Sequence, residues 1–144
     1  MEKIILELIE EYSSNLEKRE KLLIKLARLK EYDTKITASY SSTGGGKGSV
    51  TSKVERHVVK ILETEQKIRE VENDLYIIDK AQKVLTNKEN EVIELVKIHK
   101  RKLSRIAKTI QQSKKYVFDT RNRAIKKMCE YAGYKKKYSF IKDI

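Results

Sequence analysis

Cationic, aromatic and amide side chains are concentrated between residues 100 and 122, where their chemistry suits contact with a nucleic acid. Lysine and arginine bind phosphate or guanine, the asparagine amide matches an adenine edge, and aromatic rings pack on thymine methyl groups or stack. Each of these side chains has the alternative of being an ordinary solvated surface group. The candidate contact residues are Lys100, Arg101, Lys102, Arg105, Ser113, Lys114, Lys115, Tyr116, Phe118, Arg121 and Asn122.

The candidates divide into a base-reading group and a phosphate-binding group. Those nearest the start of a predicted helix, off its apolar face, are within reach of base edges. Here we expect Lys114 and Lys115 to bond guanine or phosphate, and Tyr116 to bond phosphate or stack. Phe118 is expected to pack on a thymine methyl group and Asn122 to read adenine. The upstream cations are expected to contact the DNA backbone, which adds affinity without sequence choice.

Charge is distributed unevenly along the chain. The sequence has 33 Lys and Arg against 21 Asp and Glu, a net charge of +12. Residues 97–144 hold 16 of these basic and 3 of these acidic residues, which leaves 17 basic and 18 acidic residues in 1–96. Residues 97–144 are therefore expected to face a polyanion. An anionic membrane is the competing polyanion, but no apolar run approaches the ~20 residues of a spanning helix.

Cysteine and histidine give no sign of a metal site or a catalytic centre. Cys129 is the one cysteine, so no internal disulfide forms and a reducing compartment is expected. Its place in a helical pattern favours a small core residue over a reactive thiol. His57 and His99 are far from each other and from Cys129 in the sequence. We therefore expect no enzyme activity, no cofactor and no metal.

Caps and apolar spacing predict the elements that position the candidates. Thr86 and Glu89 form a capping box that starts a helix after Leu85. Residues 103–110 predict a short helix, and Ser113 is placed to cap the next one. Helix, basic turn, short helix, tight turn and capped basic helix is the order of a helix-turn-helix. The residues expected to face the core are Ile106, Ala107, Ile110, Val117, Ala124, Ile125 and Met128.

Residues 2–36 predict a helix with an apolar seam at alternating three- and four-residue spacing. Asn15 and Arg19 interrupt the seam, either inside one long helix or at a real break. A break is an option because Ser14 with Glu17 makes a capping box. We favour one long helix. The seam residues are Ile5, Leu8, Tyr12, Leu22, Leu26, Leu29 and Ile36.

A flexible connector rich in serine and glycine is predicted at residues 39–51. It lacks the pattern of a phosphate-binding loop, since Lys47 is followed by glycine and no strand precedes it. Ser52 and Glu55 then form a capping box, so a second long helix should begin at about residue 53. Its seam residues are Val54, Ile61, Ile68 and Leu75, with Val71, Ile78 and Leu85 between them.

Together these elements predict an all-α protein in which a long, coiled-coil-like helical hairpin precedes a helix-turn-helix head. The long helices either fold back on each other or pair with those of a second chain, as a homodimer. The expected domains are 1–84, an oligomerisation arm, and 85–133, the DNA-binding head. Residues 134–144 are expected to form a basic aromatic tail, which either follows the phosphates or folds back onto the head.

Residues 85–128 resemble the DNA-binding fourth region of bacterial sigma factors, and residues 103–128 align with its helix-turn-helix without a gap. The resemblance implies that the second of the two helices lies in the major groove. The matching positions are Ile106 and Ala107 at the buried Ile-Ala pair, Ser113 at the serine that opens the recognition helix, Val117 at the buried valine, and Arg123, Ala124 and Ile125 at the closing Arg-Ala-Leu.

Two positions depart from that family pattern. Gln111 replaces the usual turn glycine, so a residue with a side chain is expected in a left-handed conformation, at some cost. Thr120 replaces a core isoleucine. Upstream residues do not resemble a promoter-melting region with its aromatic cluster, so a complete sigma factor is not expected.

The upstream part is similar to small phage and prophage proteins of Gram-positive bacteria with a sigma-like C-terminus, related to the RinA and ArpU groups of late-gene regulators. The residues that carry this likeness are Thr-Lys-Ile-Thr at 34–37, the Ser-Tyr-Ser stretch with its glycine run, and Lys-Val-Glu-Arg-His-Val-Val-Lys-Ile at 53–61. The likeness covers residues 16–133 and implies a phage context and a location in the cytoplasm of the bacterial host cell.

We therefore predict a sequence-specific double-stranded DNA-binding protein, a phage late-gene transcription regulator, with host RNA polymerase as a further candidate partner and no membrane partner. One alternative is a DNA-packaging protein such as a small terminase subunit, although those usually carry the DNA-binding unit at the N-terminus. A second alternative is a helical protein-interaction module whose basic head meets an acidic partner.

Overall fold

All regular structure among the described residues is helical, which confirms the predicted all-α class. The computed structural model describes the backbone of residues 2–43 and 49–142, and the side chains of residues 2–32 and 53–133. No strand occurs in those ranges. The helices are α1 (Glu2–Glu10), α2 (Tyr12–Thr43), α3 (Ser49–Ala81), a one-turn 3-10 helix (Gln82–Val84), α4 (Asn87–His99), α5 (Leu103–Ile110) and α6 (Lys114–Lys142).

The chain forms two compact units. One consists of Met1–Asn15 with Asn73–Ile144, and the other of Leu16–Glu72. This division differs from the predicted boundary at residue 84, because α1 and the end of α3 belong to the first unit. The physical reason is burial: Ile5 and Ile9 are 2% and 0% exposed in the core shared by α4, α5 and α6.

The core of the first unit lies where α4 and α5 pack against α6, with α1 covering α4 and α6. Each fully buried large aliphatic side chain contributes roughly 1.5–3 kcal/mol, so this cluster is the main source of the unit's stability. Thr120 is also buried among these residues. The predicted core residues that are buried are Ile106, Ala107, Val117, Ala124, Ile125 and Met128, while Ile110 is partly buried at the margin.

The capping box predicted at the start of α4 is present. Thr86 Oγ1 accepts a hydrogen bond from the Glu89 amide at 3.3 Å, and Glu89 Oε1 accepts one from the Thr86 amide at 2.9 Å. Two amides that have no partner within the helix are thereby satisfied. The prediction that a helix begins just after Leu85 is confirmed, since α4 starts at Asn87.

The turn between α5 and α6 is a Schellman motif. Gln111 is left-handed, with φ 57° and ψ 44°. Its amide donates to the Lys108 carbonyl at 3.4 Å, and the Gln112 amide donates to the Ala107 carbonyl at 3.0 Å. These two bonds satisfy carbonyl groups at the end of α5. The expectation that a residue other than glycine takes the left-handed position is confirmed.

The first helix is neither unbroken nor broken at Ser14. One turn residue, Glu11, separates α1 from α2, and Ser14 lies inside α2. The Glu11 amide donates to the Glu7 carbonyl at 2.9 Å, and the Asn15 amide donates to the Glu11 carbonyl at 2.8 Å. Helical hydrogen bonding therefore continues across the boundary, which leaves no free amides at Ser14 for a cap to satisfy.

Tyr12 belongs to the first unit and packs within it instead of extending the predicted arm seam. Its hydroxyl donates to Asp79 Oδ1 at 2.5 Å, and Lys97 Nζ lies 3.9 Å from its ring centroid. The buried Lys97 ammonium also donates to Gln82 Oε1 at 2.6 Å and to Glu94 Oε1 at 2.9 Å. A buried ammonium needs such partners. The contact between the Lys97 ammonium and the Tyr12 ring therefore joins α4 to the start of α2.

Both long helices extend closer to the glycine run than predicted. Since α2 continues to Thr43 and α3 begins at Ser49, the predicted bounds of the connector, 39 and 51, and the helix start near residue 53 are wrong. Adding a residue to an existing helix is favourable or nearly neutral, and Ser, Thr and Val cost less than ~0.7 kcal/mol each. The helical backbone therefore continues through Ser52 to Ser49 instead of stopping at a cap there. The phosphate-loop question concerns residues 44–48, which lie outside the described residues.

The predicted seam of α3 is its less exposed face, and two polar residues share it. His57 and Thr64 are 5% and 3% exposed. His57 Nε2 lies 2.7 Å from the Leu29 carbonyl oxygen of α2, and Thr64 Oγ1 donates to the Lys60 carbonyl at 2.8 Å. Both buried polar groups therefore have partners. The apolar seam residues are Val54 and Ile61, half-buried, and Ile68, Val71, Leu75, Ile78 and Leu85, buried.

The predicted boundary at residue 133 is absent from the backbone, because α6 runs on to Lys142. One glycine costs a helix only ~1 kcal/mol, which the flanking turns can offset. Apart from the neighbouring residues and the backbone of its own helix, no described atom lies within 4 Å of the position that a Cβ at Gly133 would occupy, so packing against other described elements does not require glycine there. The two expectations for the side chains of residues 134–144 lie outside the described residues.

Replacing Gln111 with glycine should stabilise the first unit. The left-handed conformation costs residues other than glycine roughly 1–2 kcal/mol. Part of the gain from introducing glycine is offset, because glycine loses about 0.5–1 kcal/mol more conformational entropy on folding. We expect Gln111→Gly to raise the free energy of unfolding in urea by about 0.5–1 kcal/mol. The neighbouring Gln112→Gly is the control and should not stabilise. Equal effects of the two substitutions would show that strain at residue 111 is negligible.

Candidate nucleic-acid interface

The first turns of α6 present two lysines and a phenylalanine to solvent. Ser113 Oγ accepts a hydrogen bond from the Tyr116 amide at 3.1 Å, which caps the helix as predicted. Val117 is fully buried and fixes the rotation of the helix. Lys114 and Lys115 are consequently exposed, and the Phe118 side chain is 45% exposed. The start of α6 therefore presents two cations and one aromatic ring on the same exposed part of the helix.

Three other candidates on α6 are less available than expected. Tyr116 is half-buried and packs against the core, so its ring is not the freely exposed group that the sequence suggests. Arg121 is half-buried, and its Nη2 donates to Asn122 Oδ1 at 3.3 Å. The Arg121 guanidinium also lies 5.3 Å from the Phe118 ring centroid. Any contact of Asn122 with a base therefore competes with its bond to Arg121.

The basic segment between α4 and α5 forms two consecutive tight turns. The Lys102 amide donates to the His99 carbonyl at 3.1 Å, and Lys100 between them has φ 57° and ψ −117°. These angles are those of the first central residue of a type II′ turn, which favours glycine. The Leu103 amide then donates to the Arg101 carbonyl at 2.9 Å. Lys102 has φ −82° and ψ 73°, so this second turn is an inverse γ-turn.

These turns bring the four predicted phosphate-binding residues together. Lys100, Arg101, Lys102 and Arg105 are all exposed, and they line one open depression of about 510 Å³. Short spacing in the sequence made this grouping predictable. The depression also contains Glu10 of α1, which sequence reasoning missed. Glu10 Oε1 accepts a hydrogen bond from Arg101 Nε at 2.9 Å, across 91 positions in the chain. No local pattern indicates that pair.

Glu89 is the second side chain whose long-range contacts the sequence did not indicate. Beyond its cap, its buried carboxylate accepts a hydrogen bond from Lys127 Nζ of α6 at 2.8 Å. Its other oxygen lies 3.4 Å from Arg123 Nε, close enough for an ion pair but without hydrogen-bond geometry. Burial acts to raise the pKa of Glu89, but the bonds from Lys127 and Thr86 outweigh it and lower that pKa below 4.5. The carboxylate thus stays ionised and attaches α6 to α4.

Other kinds of site find little support in the described part of the chain. Its His, Cys, Asp and Glu residues form no group of three that could hold a metal ion. Cys129 is half-buried, and burial raises the pKa of its thiol. Among the helices described, none combines the length and apolar character needed to cross a membrane.

Family models, curated proteins and solved structures offer no match to this chain. The physical chemistry of the surface formed by α5, α6 and the basic turn is therefore the basis for a functional proposal.

Glu89→Gln should destabilise the first unit and make its free energy of unfolding less sensitive to low pH. The lowered pKa means that the carboxylate stabilises the fold fully above its unfolded value near 4.5, and that this stabilisation is lost as pH falls through the folded value. At neutral pH we expect a loss of about 1.5–3 kcal/mol, the range for a hydrogen bond to a charged group. Urea unfolding at several pH values measures both effects.

The control for this experiment is Glu91→Gln, an exposed glutamate on the same helix. It should change the free energy of unfolding by less than ~0.5 kcal/mol. If Glu91→Gln and Glu89→Gln give the same acid profile, the Glu89 carboxylate does not couple α4 to α6.

Proposed function

We propose that this protein binds double-stranded DNA through a helix-turn-helix in which α6 enters the major groove and α5 lies across its start. The observation that carries the proposal is the division of the first turns of α6. Val117 and Ala124 are fully buried, whereas Lys114, Lys115 and Phe118 face outward. A capped helix with one face fixed in a core and cations at its exposed start is the arrangement that reads base edges.

The basic turn supplies the complementary phosphate contacts in this proposal. Lys100, Lys102 and Arg105 are exposed, and in the described residues none of them has an ion-pair partner. Backbone contacts of this kind fix the register of the protein on the duplex and add affinity that depends on salt. Base choice then falls mainly to Lys114, Lys115 and Phe118. Tyr116 contributes through its hydroxyl edge, since its ring packs against the core.

The biological role that we propose is regulation of phage late-gene transcription, with host RNA polymerase as a second partner. This part rests on the residue likeness to the fourth region of sigma factors and to small phage regulators. Selecting bound fragments from a phage genome tests it. Sites upstream of late genes support regulation, whereas sites at a packaging origin favour the alternative of a packaging protein.

We also propose that the second unit pairs with a second copy of itself. No residue in the described part of α2 is buried, and its seam residues Leu22 and Leu26 stay half-exposed. On α3, Val58 and Leu62 are 44% and 57% exposed and lie one turn apart. A second pair of helices would cover these faces as a four-helix bundle. Two heads would then be available for two half-sites.

DNA binding should depend on the exposed start of α6. In the Lys114→Ala/Lys115→Ala/Phe118→Ala variant, three contacts worth about 1–3 kcal/mol each are removed, so we expect at least ~100-fold weaker binding to a selected site. Tyr76→Ala/Lys83→Ala/Lys88→Ala is the matched control, because it removes two exposed lysines and an exposed ring from other elements. Fluorescence anisotropy with labelled duplex measures both.

The salt dependence of the same binding provides a second measurement. With about four to six phosphate contacts, a plot of log affinity against log salt should have a slope near −4 to −5. A shallow slope, or equal losses in the α6 variant and its control, would contradict the DNA-binding proposal.

Self-association should depend on the outer face of α3. Val58→Gln/Leu62→Gln is expected to weaken the dimer at least tenfold in sedimentation equilibrium, since roughly 0.8 kcal/mol is lost per buried methylene. The control Lys60→Gln/Lys67→Gln changes exposed residues on another face of α3. A monomeric wild-type protein at high concentration, or an effect of the control as large as that of the variant, would refute the pairing.

A further inference from the structure

Arg101 differs from the other cations of the basic turn in having a carboxylate partner. Its Nε donates to Glu10 Oε1 at 2.9 Å, and elsewhere among the described residues its guanidinium has no hydrogen bond. The Arg101 side chain is 69% exposed, whereas that of Glu10 is 15% exposed. Only one N–H of the guanidinium is therefore used, and the two terminal amino groups remain free for another acceptor.

Glu10 is held in place by its helix. It is the last residue of α1, and the preceding Ile9 is fully buried in the core, together with Ile5. The backbone of Glu10 is therefore fixed, and its side chain, only 15% exposed, is largely enclosed by its neighbours. An arginine attached to such an anchor loses less side-chain freedom when it binds a second group than a free arginine does.

A second arginine is affected by the charge of the same carboxylate. Arg121 of α6 is half-buried, and burial lowers its pKa, while the charge of Glu10 acts in the opposite direction and that of Arg101 adds to the lowering. Glu10 thus offsets the repulsion between two guanidinium groups that reach the same region from different elements. Without it, Arg101 would be expected to turn away from Arg121.

We infer that Glu10 is a positioning residue that holds Arg101 with both terminal amino groups outward, as a bidentate clamp for a DNA phosphate. This inference rests on the proposed DNA-binding function. It makes α1, more than 90 residues upstream of the basic turn in sequence, a supporting part of the interface. Bidentate geometry is the property that distinguishes arginine from lysine at a phosphate.

Three substitutions distinguish a positioning role of Glu10 from a simple effect of its negative charge. Glu10→Ala removes the anchor and is expected to weaken duplex binding about tenfold, the value of one charge-assisted hydrogen bond. Glu10→Gln keeps an acceptor for Arg101 Nε and should stay within about twofold of wild type or bind more tightly. Glu7→Ala removes the same charge from an exposed position on α1 and should not weaken binding.

A double-mutant cycle tests whether Glu10 acts through Arg101. Arg101→Ala should weaken binding about tenfold, and adding Glu10→Ala should cause no further loss. Arg101→Lys should not restore affinity, because lysine does not bind in bidentate fashion. Tighter binding by Glu10→Ala would show that Glu10 is only a repulsive charge, and equal losses with and without Arg101 would place its effect elsewhere. Either result overturns the inference.

A readout without DNA keeps this inference distinguishable from the proposed function. In nitrogen–proton NMR spectra, the Arg101 Nε–H should be protected from exchange in wild type and in Glu10→Gln, and unprotected in Glu10→Ala. If the Arg101 Nε–H exchanges freely in wild type, the positioning role of Glu10 is overturned whatever the protein binds. Protection together with no duplex binding by wild type would instead refute the DNA-binding function, and with it the phosphate clamp.

Discussion

The placement of α6 depends on one buried carboxylate, that of Glu89. Its side chain is 2% exposed, and it bonds the Thr86 amide of its own cap and Lys127 Nζ of α6. A charged group is tolerated in a core only when opposite charge and hydrogen bonds surround it. The start of α4 and the middle of α6 must therefore meet at one point. With that contact fixed and Val117 buried, the rotation of α6 leaves its first lysines facing outward.

Local chemistry made the head of the protein predictable from sequence. The caps at Thr86 and Ser113 each involve residues within a few positions of one another, so spacing alone indicates them, whereas the left-handed Gln111 was expected only from the resemblance to the sigma-factor motif. The end of α5 at Ile110 coincides with the turn at Gln111, whereas its start at Leu103 has no side-chain cap. The long helices were less predictable, because the cap at Ser52 competes with simple helix extension. Extension continues α3 back to Ser49.

Contacts between distant residues were not predictable in the same way. The seam pattern of the first helix includes Ile5 but passes over Ile9, and it does not say which partner covers these residues. They lie in the core of the first unit, and this placement in turn brings Glu10 to Arg101. His57 and Thr64 were missed for a related reason. A search for apolar periodicity passes over polar residues, even when these are buried in the seam with backbone carbonyl groups as hydrogen-bond partners.

Backbone strain adds an independent argument about the basic turn. Among the described residues other than glycine, Lys100 and Gln111 are the two with positive φ, and they lie on either side of α5. A lysine at φ 57° and ψ −117° costs of order 1–3 kcal/mol, and glycine would adopt this conformation more readily. The packing of α4 and α5 on either side holds the Lys100 backbone in this conformation despite its cost. Because Lys100 places a cation in the depression that also holds Lys102 and Arg105, the phosphate contact proposed for this turn gives a physical reason for lysine where the backbone favours glycine.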